Sequence, residues 1–205
     1  AKFRAARRLW ARLLRERTGT DDADCLRMRF HAQTAGSTLT AAQPELNVAR
    51  TTLQALAAVL GGTQSLHTNA WDEALGLPSV AAATLALRTQ QVLAYESGIV
   101  DAVDPLAGSY YVERLTDHLE QEARAWIAEV EAAGGAVAAA ESGFVRRAVE
   151  ESAYRHALRV ESGEAVVVGV NRFVADRPGP PAPVCRTDPA VEREQVARLA
   201  AGRRR

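Results

Sequence analysis

Eleven residues, from Thr63 to Glu73, hold an unusual concentration of side chains that could bind a ligand. Gln, Ser, His, Thr and Asn occur here between two apolar segments, and the run ends in two adjacent acids. Polar groups on a short strand are costly to bury unless they meet hydrogen-bond partners or a ligand. The run therefore predicts a ligand site.

The elements around this run explain how it would be positioned. Alternating residues 25–31 and 63–69 predict two strands, and each is followed by polar residues, of which 31–38 form the earlier cluster. Residues 46–60 and 80–97 predict helices. Strand, loop and helix in this repeated order are typical of βα units with a parallel sheet, whose sites lie at the carboxyl ends of the strands.

The rest of the chain predicts mostly helix. The first helix has no N-cap signal before it, and two parallel strands need neighbours on both sides. We therefore expect a part of a longer protein. The remaining predicted elements are helices at 1–17, 113–133, 136–161 and 189–205, an N-cap at Ser79, a loop at 104–111, a strand at 165–170 and a Pro-rich linker at 176–188.

Composition excludes several classes of function. The 205 residues carry 25 basic and 25 acidic groups, which argues against a nucleic-acid partner. No apolar run approaches the ~20 residues of a membrane span. Cys25 and Cys185 are far apart and form no CxxC motif, which favours a reduced, cytoplasmic location. The arginines are spread among acids, and we interpret them as a reflection of genome composition or as solvated helix faces rather than as groups that recognise phosphate.

Several blocks resemble the large subunit of methylmalonyl-CoA mutase and its acyl-CoA mutase relatives. The similarity extends over roughly residues 1–175. The blocks are Arg29-Phe30-His31-Ala32-Gln33-Thr34-Ala35-Gly36, Gly61-Gly62-Thr63-Gln64-Ser65-Leu66-His67-Thr68-Asn69, Asp72-Glu73-Ala74-Leu75-Gly76-Leu77-Pro78, Glu96-Ser97-Gly98, Asp104-Pro105-Leu106-Ala107-Gly108-Ser109-Tyr110-Tyr111 and Val168-Gly169-Val170-Asn171-Arg172-Phe173.

The resemblance implies an α/β fold: the C-terminal part of a (β/α)8 TIM barrel followed by a mostly helical extension. Residues 1–98 would be the last βα units and 99–175 the extension with one short strand. The linker 176–188 and the charged helix 189–205 would lead towards a B12-binding domain that this chain lacks. Family members use adenosylcobalamin for a radical rearrangement of an acyl-CoA, and the barrel shields that chemistry from water.

The resemblance also implies roles for individual residues. His31 and Gln33 match catalytic positions near the substrate and its thioester. Glu73 matches a glutamate that faces the adenosyl and corrin side of the cofactor. The other predicted cofactor-binding residues are Gly36, Ser65, Asn69 and Gly76. No residue matches the lower cobalt ligand, because the Asp-x-His-x-x-Gly motif is absent, so the cofactor site is incomplete and no metal ligand is predicted.

The implied partners are an acyl-CoA substrate, the rest of the barrel and a B12-binding domain or subunit. Taken alone, the chain is expected to be inactive. Ser37 and Phe30 depart from mitochondrial-type methylmalonyl-CoA mutases, and Leu46 replaces the first asparagine of the family's Pro-x-Asn-Asn, so the identity of the acyl-CoA stays open.

Other interpretations of the same residues also stay open. His67 on an apolar strand is typical of a core histidine, and Glu73 could interact with a helix dipole. The whole chain could be a non-catalytic remnant, a module that docks on a mutase subunit or, against the matching blocks, a different (β/α)8 enzyme.

Overall fold

The computed structural model describes residues 1–176, 185 and 188–203 of this chain. Most of these residues are helical. The helices are α1 (Lys2–Thr18), α2 (Ala23–Leu26), α3 (Leu46–Leu60), α4 (Val80–Tyr95), α5 (Tyr110–Ala132), α6 (Ala136–Glu141), α7 (Phe144–Glu161) and α8 (Pro189–Gly202), with 3₁₀ turns at Gly36–Thr38 and Ile99–Asp101 and the strands β1 (His31–Gln33) and β2 (Ser65–His67).

The two strands form a parallel pair, as the βα pattern predicts. His31 lies opposite Ser65 and Gln33 lies opposite His67. Helix α3 connects the strands and packs on both β2 and α4. Its buried residues Thr51, Ala55 and Ala58 recur at helical spacing, which is the reason that one face turns inwards. The α/β class is therefore confirmed for the described residues, and the complete barrel stays a prediction.

Ser79 caps α4, as the sequence predicts. Its Oγ accepts a hydrogen bond from the amide of Ala82 at 3.2 Å. Its own amide donates to Oδ2 of Asp72 at 2.9 Å. The start of α4 is thus fastened to the polar segment that follows β2.

Two predicted strands are wrong in extent or in kind. Residues 25–31 do not form one strand, because the Asp22 side chain caps the amide of Asp24 and begins the short helix α2. Strand β1 begins at His31. Residues 165–170 form a turn, with a single bridge between Val168 and Arg172. The Asn171 side chain causes this turn, since it donates to the carbonyls of Val160 and Ala165 and accepts from the amide of Val167.

The helical extension also differs from the prediction in detail. Tyr110 and Tyr111 begin α5 instead of ending a loop, and their side chains are exposed. The predicted helix 136–161 is interrupted at Gly143, whose φ of 73° lies in the left-handed region. Most of the predicted linker 176–188 and the end of the last predicted helix lie outside the described residues.

The arginines of α1 pair with acids on α5. Glu120 is almost fully buried and accepts hydrogen bonds from Arg8 and, at 2.6 Å, from Arg12. Arg4 contacts Asp104 at 2.9 Å and Glu113 at 2.7 Å. The interpretation of these arginines as solvated faces is therefore wrong for this side of α1. Charges that are partly removed from water in this way hold the first helix on the extension.

Candidate functional site

One face of the β1–β2 pair carries four polar side chains. His31 and Gln33 on β1 and Ser65 and His67 on β2 are exposed on this face. The parallel register places His31 beside Ser65, and the imidazole Nδ1 lies 2.7 Å from the serine Oγ. Because side chains alternate along a strand, Ala32 is buried on the opposite face. The sheet therefore presents hydroxyl, amide and imidazole groups side by side.

Asn69 follows β2, is buried and is held by hydrogen bonds from the neighbouring strand segment. Its Oδ1 accepts hydrogen bonds from Thr34 Oγ1 at 2.9 Å and from Gln33 Nε2 at 3.3 Å. Its backbone amide donates to Thr34 Oγ1 at 2.9 Å. Since two donors occupy the oxygen, the side-chain NH₂ is the group of Asn69 that remains to meet a ligand.

Glu73 and Gly36 lie against each other at the ends of the two strands. A Cβ placed on Gly36 would lie 3.0 Å from Asn69 Nδ2 and 3.3 Å from Glu73 Oε1. The backbone of Gly36 is not in the left-handed region, so space, rather than backbone angle, favours glycine here. The Glu73 side chain is exposed above this close contact. The structure thus brings the predicted residues Gly36, Asn69 and Glu73 together.

Gly76 lies in the turn that follows Glu73. Its amide donates to the carbonyl of Asp72 at 3.3 Å, and the amide of Leu75 donates to the same oxygen at 2.8 Å. The Asp72 side chain is buried, with Oδ2 bound to the Ser79 amide and Oδ1 without a hydrogen-bond partner. Gly76 is therefore placed by this turn.

The chemistry of the site is that of hydrogen bonding rather than of metal coordination. Among the described residues, no group of three or more His, Cys, Asp or Glu side chains could hold a metal ion. The site offers neutral donors and acceptors together with one carboxylate. Nor is any helix in the described part of the chain both long and apolar enough to cross a membrane.

Comparison with known sequences identifies the family. The profile of the family described as methylmalonyl-CoA mutase matches residues 1–205. The chain belongs to the methylmalonyl-CoA mutase family. The resemblance that the sequence blocks indicate is thereby confirmed.

Curated relatives of this mutase-family chain are long proteins. It is 52% identical over 174 residues to the 2-hydroxyisobutanoyl-CoA mutase large subunit of Aquincola tertiaricarbonis. This alignment covers 85% of the chain and 31% of that subunit. It is 45% identical over 205 residues to methylmalonyl-CoA mutase of Rhizobium meliloti, which covers all of the chain and 29% of the relative. Over 199 residues it is also 45% identical to the Escherichia coli enzyme of that name, which covers 97% of the chain and 28% of the relative.

Three residues at this site of the mutase-family chain have roles that sequence reasoning missed. The apolar strand favours a core position for His67, but the side chain is exposed on the same face as Gln33. Thr34 fixes Asn69, and Asn47 joins the loops that follow the two strands. The alternation of β2 could have revealed His67, because it lies two residues after Ser65 and therefore on the same face.

Proposed function

We propose that this chain forms one rim of the active site of an adenosylcobalamin-dependent acyl-CoA mutase. The reaction would be a radical 1,2-rearrangement of the acyl carbon skeleton, of the methylmalonyl-CoA to succinyl-CoA type. The observation that carries the proposal is that the Asn69 and Glu73 side chains both lie against Gly36 beyond the carboxyl ends of two paired parallel strands. Sites of βα folds are built at these ends.

The residues fit a cofactor that is held by contacts with its periphery. Gly36 carries no side chain, and a Cβ there would press on Asn69 Nδ2 and Glu73 Oε1, so glycine would let these two polar groups and the nearby backbone meet a large flat ligand together. Glu73 offers a carboxylate to hydroxyl or amide donors, and Asn69 offers an NH₂. The lower ligand of the cobalt would come from another domain or subunit.

When bound, the cofactor supplies the radical chemistry that starts the rearrangement. The side chains of this chain would bind the cofactor and the acyl-CoA and orient them. Glu73 would hold the adenosyl side of the cofactor, while His31 and Gln33 on the polar strand face would contact the acyl-CoA and its thioester. Ser65 would orient His31 through the 2.7 Å contact between its Oγ and Nδ1. Groups fixed in advance in this way cost no reorganisation during the reaction.

A segment exchange tests the proposal. In the chimera, this chain replaces the 199 aligned residues of the E. coli relative. We expect the chimera to change the visible spectrum of adenosylcobalamin on binding. The isolated chain should neither bind the cofactor tightly nor isomerise an acyl-CoA, because it supplies one rim. A folded chimera that binds no adenosylcobalamin would contradict the proposal and favour the alternative, a non-catalytic module that docks on a mutase subunit.

Gly36→Ala in the chimera should weaken adenosylcobalamin binding. The new methyl group would press on Asn69 Nδ2 and Glu73 Oε1, at 3.0 and 3.3 Å. We expect roughly a tenfold rise in Kd, equivalent to ~1.4 kcal/mol. Titration of the cofactor absorbance measures it. Ala41→Ser, an exposed change in the same segment, is the control and should leave Kd unchanged. An unchanged Kd for Gly36→Ala would mean that the cofactor does not approach this glycine.

A further inference from the structure

Asn47 joins the two loops that carry the candidate site. It lies in the first turn of α3 and is fully buried. Its Nδ2 donates to the carbonyl oxygens of Thr40 and Trp71, both at 2.9 Å. Its Oδ1 accepts from the Thr40 amide at 3.1 Å and from Arg50 Nη1 at 2.7 Å. A single buried amide group therefore spans the segment after β1 and the segment after β2.

Both of these segments lead directly to residues of the site. Trp71 is two positions before Glu73, and Thr40 is four positions after Gly36. The Glu73 carboxylate and Gly36 approach so closely that a Cβ would not fit without displacement. A small change in the distance between the loops would therefore move the carboxylate relative to the glycine.

Two further side chains of α3 support the same loops. Arg50 and Gln54 follow Asn47 at spacings of three and seven residues, which places all three on one side of the helix. Arg50 Nη1 donates to Thr40 Oγ1 at 3.1 Å. Gln54 Oε1 accepts from the Ala35 amide at 2.6 Å, and its Nε2 donates to Thr38 Oγ1 at 2.7 Å. Helix α3 thus holds the Gly36 turn from both ends.

We propose that Asn47 is a positioning residue of the mutase site, which acts on the cofactor by fixing Glu73 relative to Gly36. The inference rests on the proposed function and deepens it. Asn47 touches no reacting atom. Its two donated hydrogen bonds set the separation of the strand-end loops, and Gln54 fixes the Gly36 turn from the same helix.

The test is a double-mutant cycle in the chimera with the E. coli relative. Asn47→Asp keeps the shape and the Oδ1 contacts but removes both donors to Thr40 and Trp71. We expect Kd for adenosylcobalamin to rise about tenfold and kcat to fall by between about tenfold and a hundredfold, as for a group displaced by ~1 Å. If Asn47 acts through Glu73, the double variant with Asn47→Asp and Glu73→Gln should have nearly the same kcat and cofactor Kd as Glu73→Gln alone.

Thr51→Val is the matched control on the same helix. Thr51 is buried and its hydroxyl has no hydrogen-bond partner, so its removal should leave Kd unchanged and raise the melting temperature or leave it the same. If Asn47→Asp does not fold, the half-buried Gln54→Leu takes its place in the cycle. It should raise Kd by about threefold, less than the loss of a full net hydrogen bond, and show the same coupling to Glu73.

The outcomes separate the two proposals. Losses from Asn47 and Glu73 that add fully, or an Asn47→Asp chimera with unchanged Kd and kcat, would overturn the positioning role while the mutase function stands. For Gln54→Leu, additive losses would likewise overturn it. An unmodified chimera that folds without cofactor binding or turnover would overturn the proposed function and with it the positioning role.

Discussion

Glu73→Gln in the chimera is expected to lower kcat by between about tenfold and a hundredfold. The change removes a charge but keeps the size, and hydrogen bonds to charged groups contribute ~1.5–3 kcal/mol each. Glu73 is exposed beside Gly36 and Asn69, so its carboxylate is free to accept hydrogen bonds from the cofactor. KM for the acyl-CoA should change little, because Glu73 is assigned to the cofactor side. Steady-state kinetics at saturating cofactor measure both constants.

Two further variants sharpen this expectation. Glu73→Asp keeps the charge on a shorter side chain, and it should recover part of the activity if charge matters more than reach. Glu141→Gln, an exposed change on α6, should leave kcat as it is. A Glu73→Gln chimera with the kcat of the unmodified chimera would show that this carboxylate takes no part in the reaction.

Glu120→Gln should destabilise the chain by about 1.5–3 kcal/mol, the range for a lost hydrogen bond to a charged group. Glu120 is 3% exposed, and its carboxylate accepts hydrogen bonds from both Arg8 and Arg12. A neutral amide cannot accept from two guanidinium groups in the same way, and its NH₂ would face them as a donor. Urea unfolding of the purified chain measures the loss. Glu122→Gln, on an exposed position of the same helix, is the control.

The same contact should make stability depend on pH. Burial opposes ionisation of Glu120 and is the largest single influence, but the hydrogen bonds from Arg12 and Arg8 together outweigh it and lower its pKa. The hydrogen bond from Arg4, followed by that from the Gly108 amide, lowers the pKa of Glu113. Each carboxylate therefore stabilises the fold fully above its unfolded pKa of ~4.3. This contribution is lost as the pH falls through the folded values.

Urea unfolding at pH 7 and at a series of values below pH ~4 follows this dependence. In Glu120→Gln the decline on acidification should be smaller, because one of the two groups no longer titrates. If Glu120→Gln has the stability and the acid profile of the unmodified chain, the pairing of Glu120 with Arg8 and Arg12 contributes nothing to the fold.

Much of the helical framework follows from local sequence. The bounds 46–60 of α3 and the Ser79 cap of α4 are as predicted, because apolar spacing and capping chemistry act within a few residues. The strand at 165–170 is not, because Val166, Val167 and Val168 favour a strand by type while the Asn171 side chain folds the segment back. Side-chain bonds to nearby backbone of this kind compete with propensity and leave no periodic signal.

The candidate site, too, was predictable only in part. That Gln33, Asn69 and Glu73 gather where the two strands end was predictable, since parallel strands align their carboxyl ends. His31 and Ser65 were expected at these ends too, but they are the first residues of β1 and β2. The partner of each group was not. The role of Asn47 depends on a contact with Trp71, 24 residues away, and on how α3 lies against both loops. The pairing of Glu120 depends on α1, more than 100 residues earlier. Such contacts are tertiary and cannot be inferred from spacing.

Turnover of methylmalonyl-CoA by the chimera tests the central claim most directly. The E. coli part supplies the remainder of the enzyme, so activity depends on whether residues 1–205 complete the site. Chromatographic assay should show formation of succinyl-CoA that requires adenosylcobalamin and falls in Glu73→Gln. A folded chimera that binds adenosylcobalamin and methylmalonyl-CoA but forms no succinyl-CoA would contradict the assignment of this chain as one rim of a mutase site.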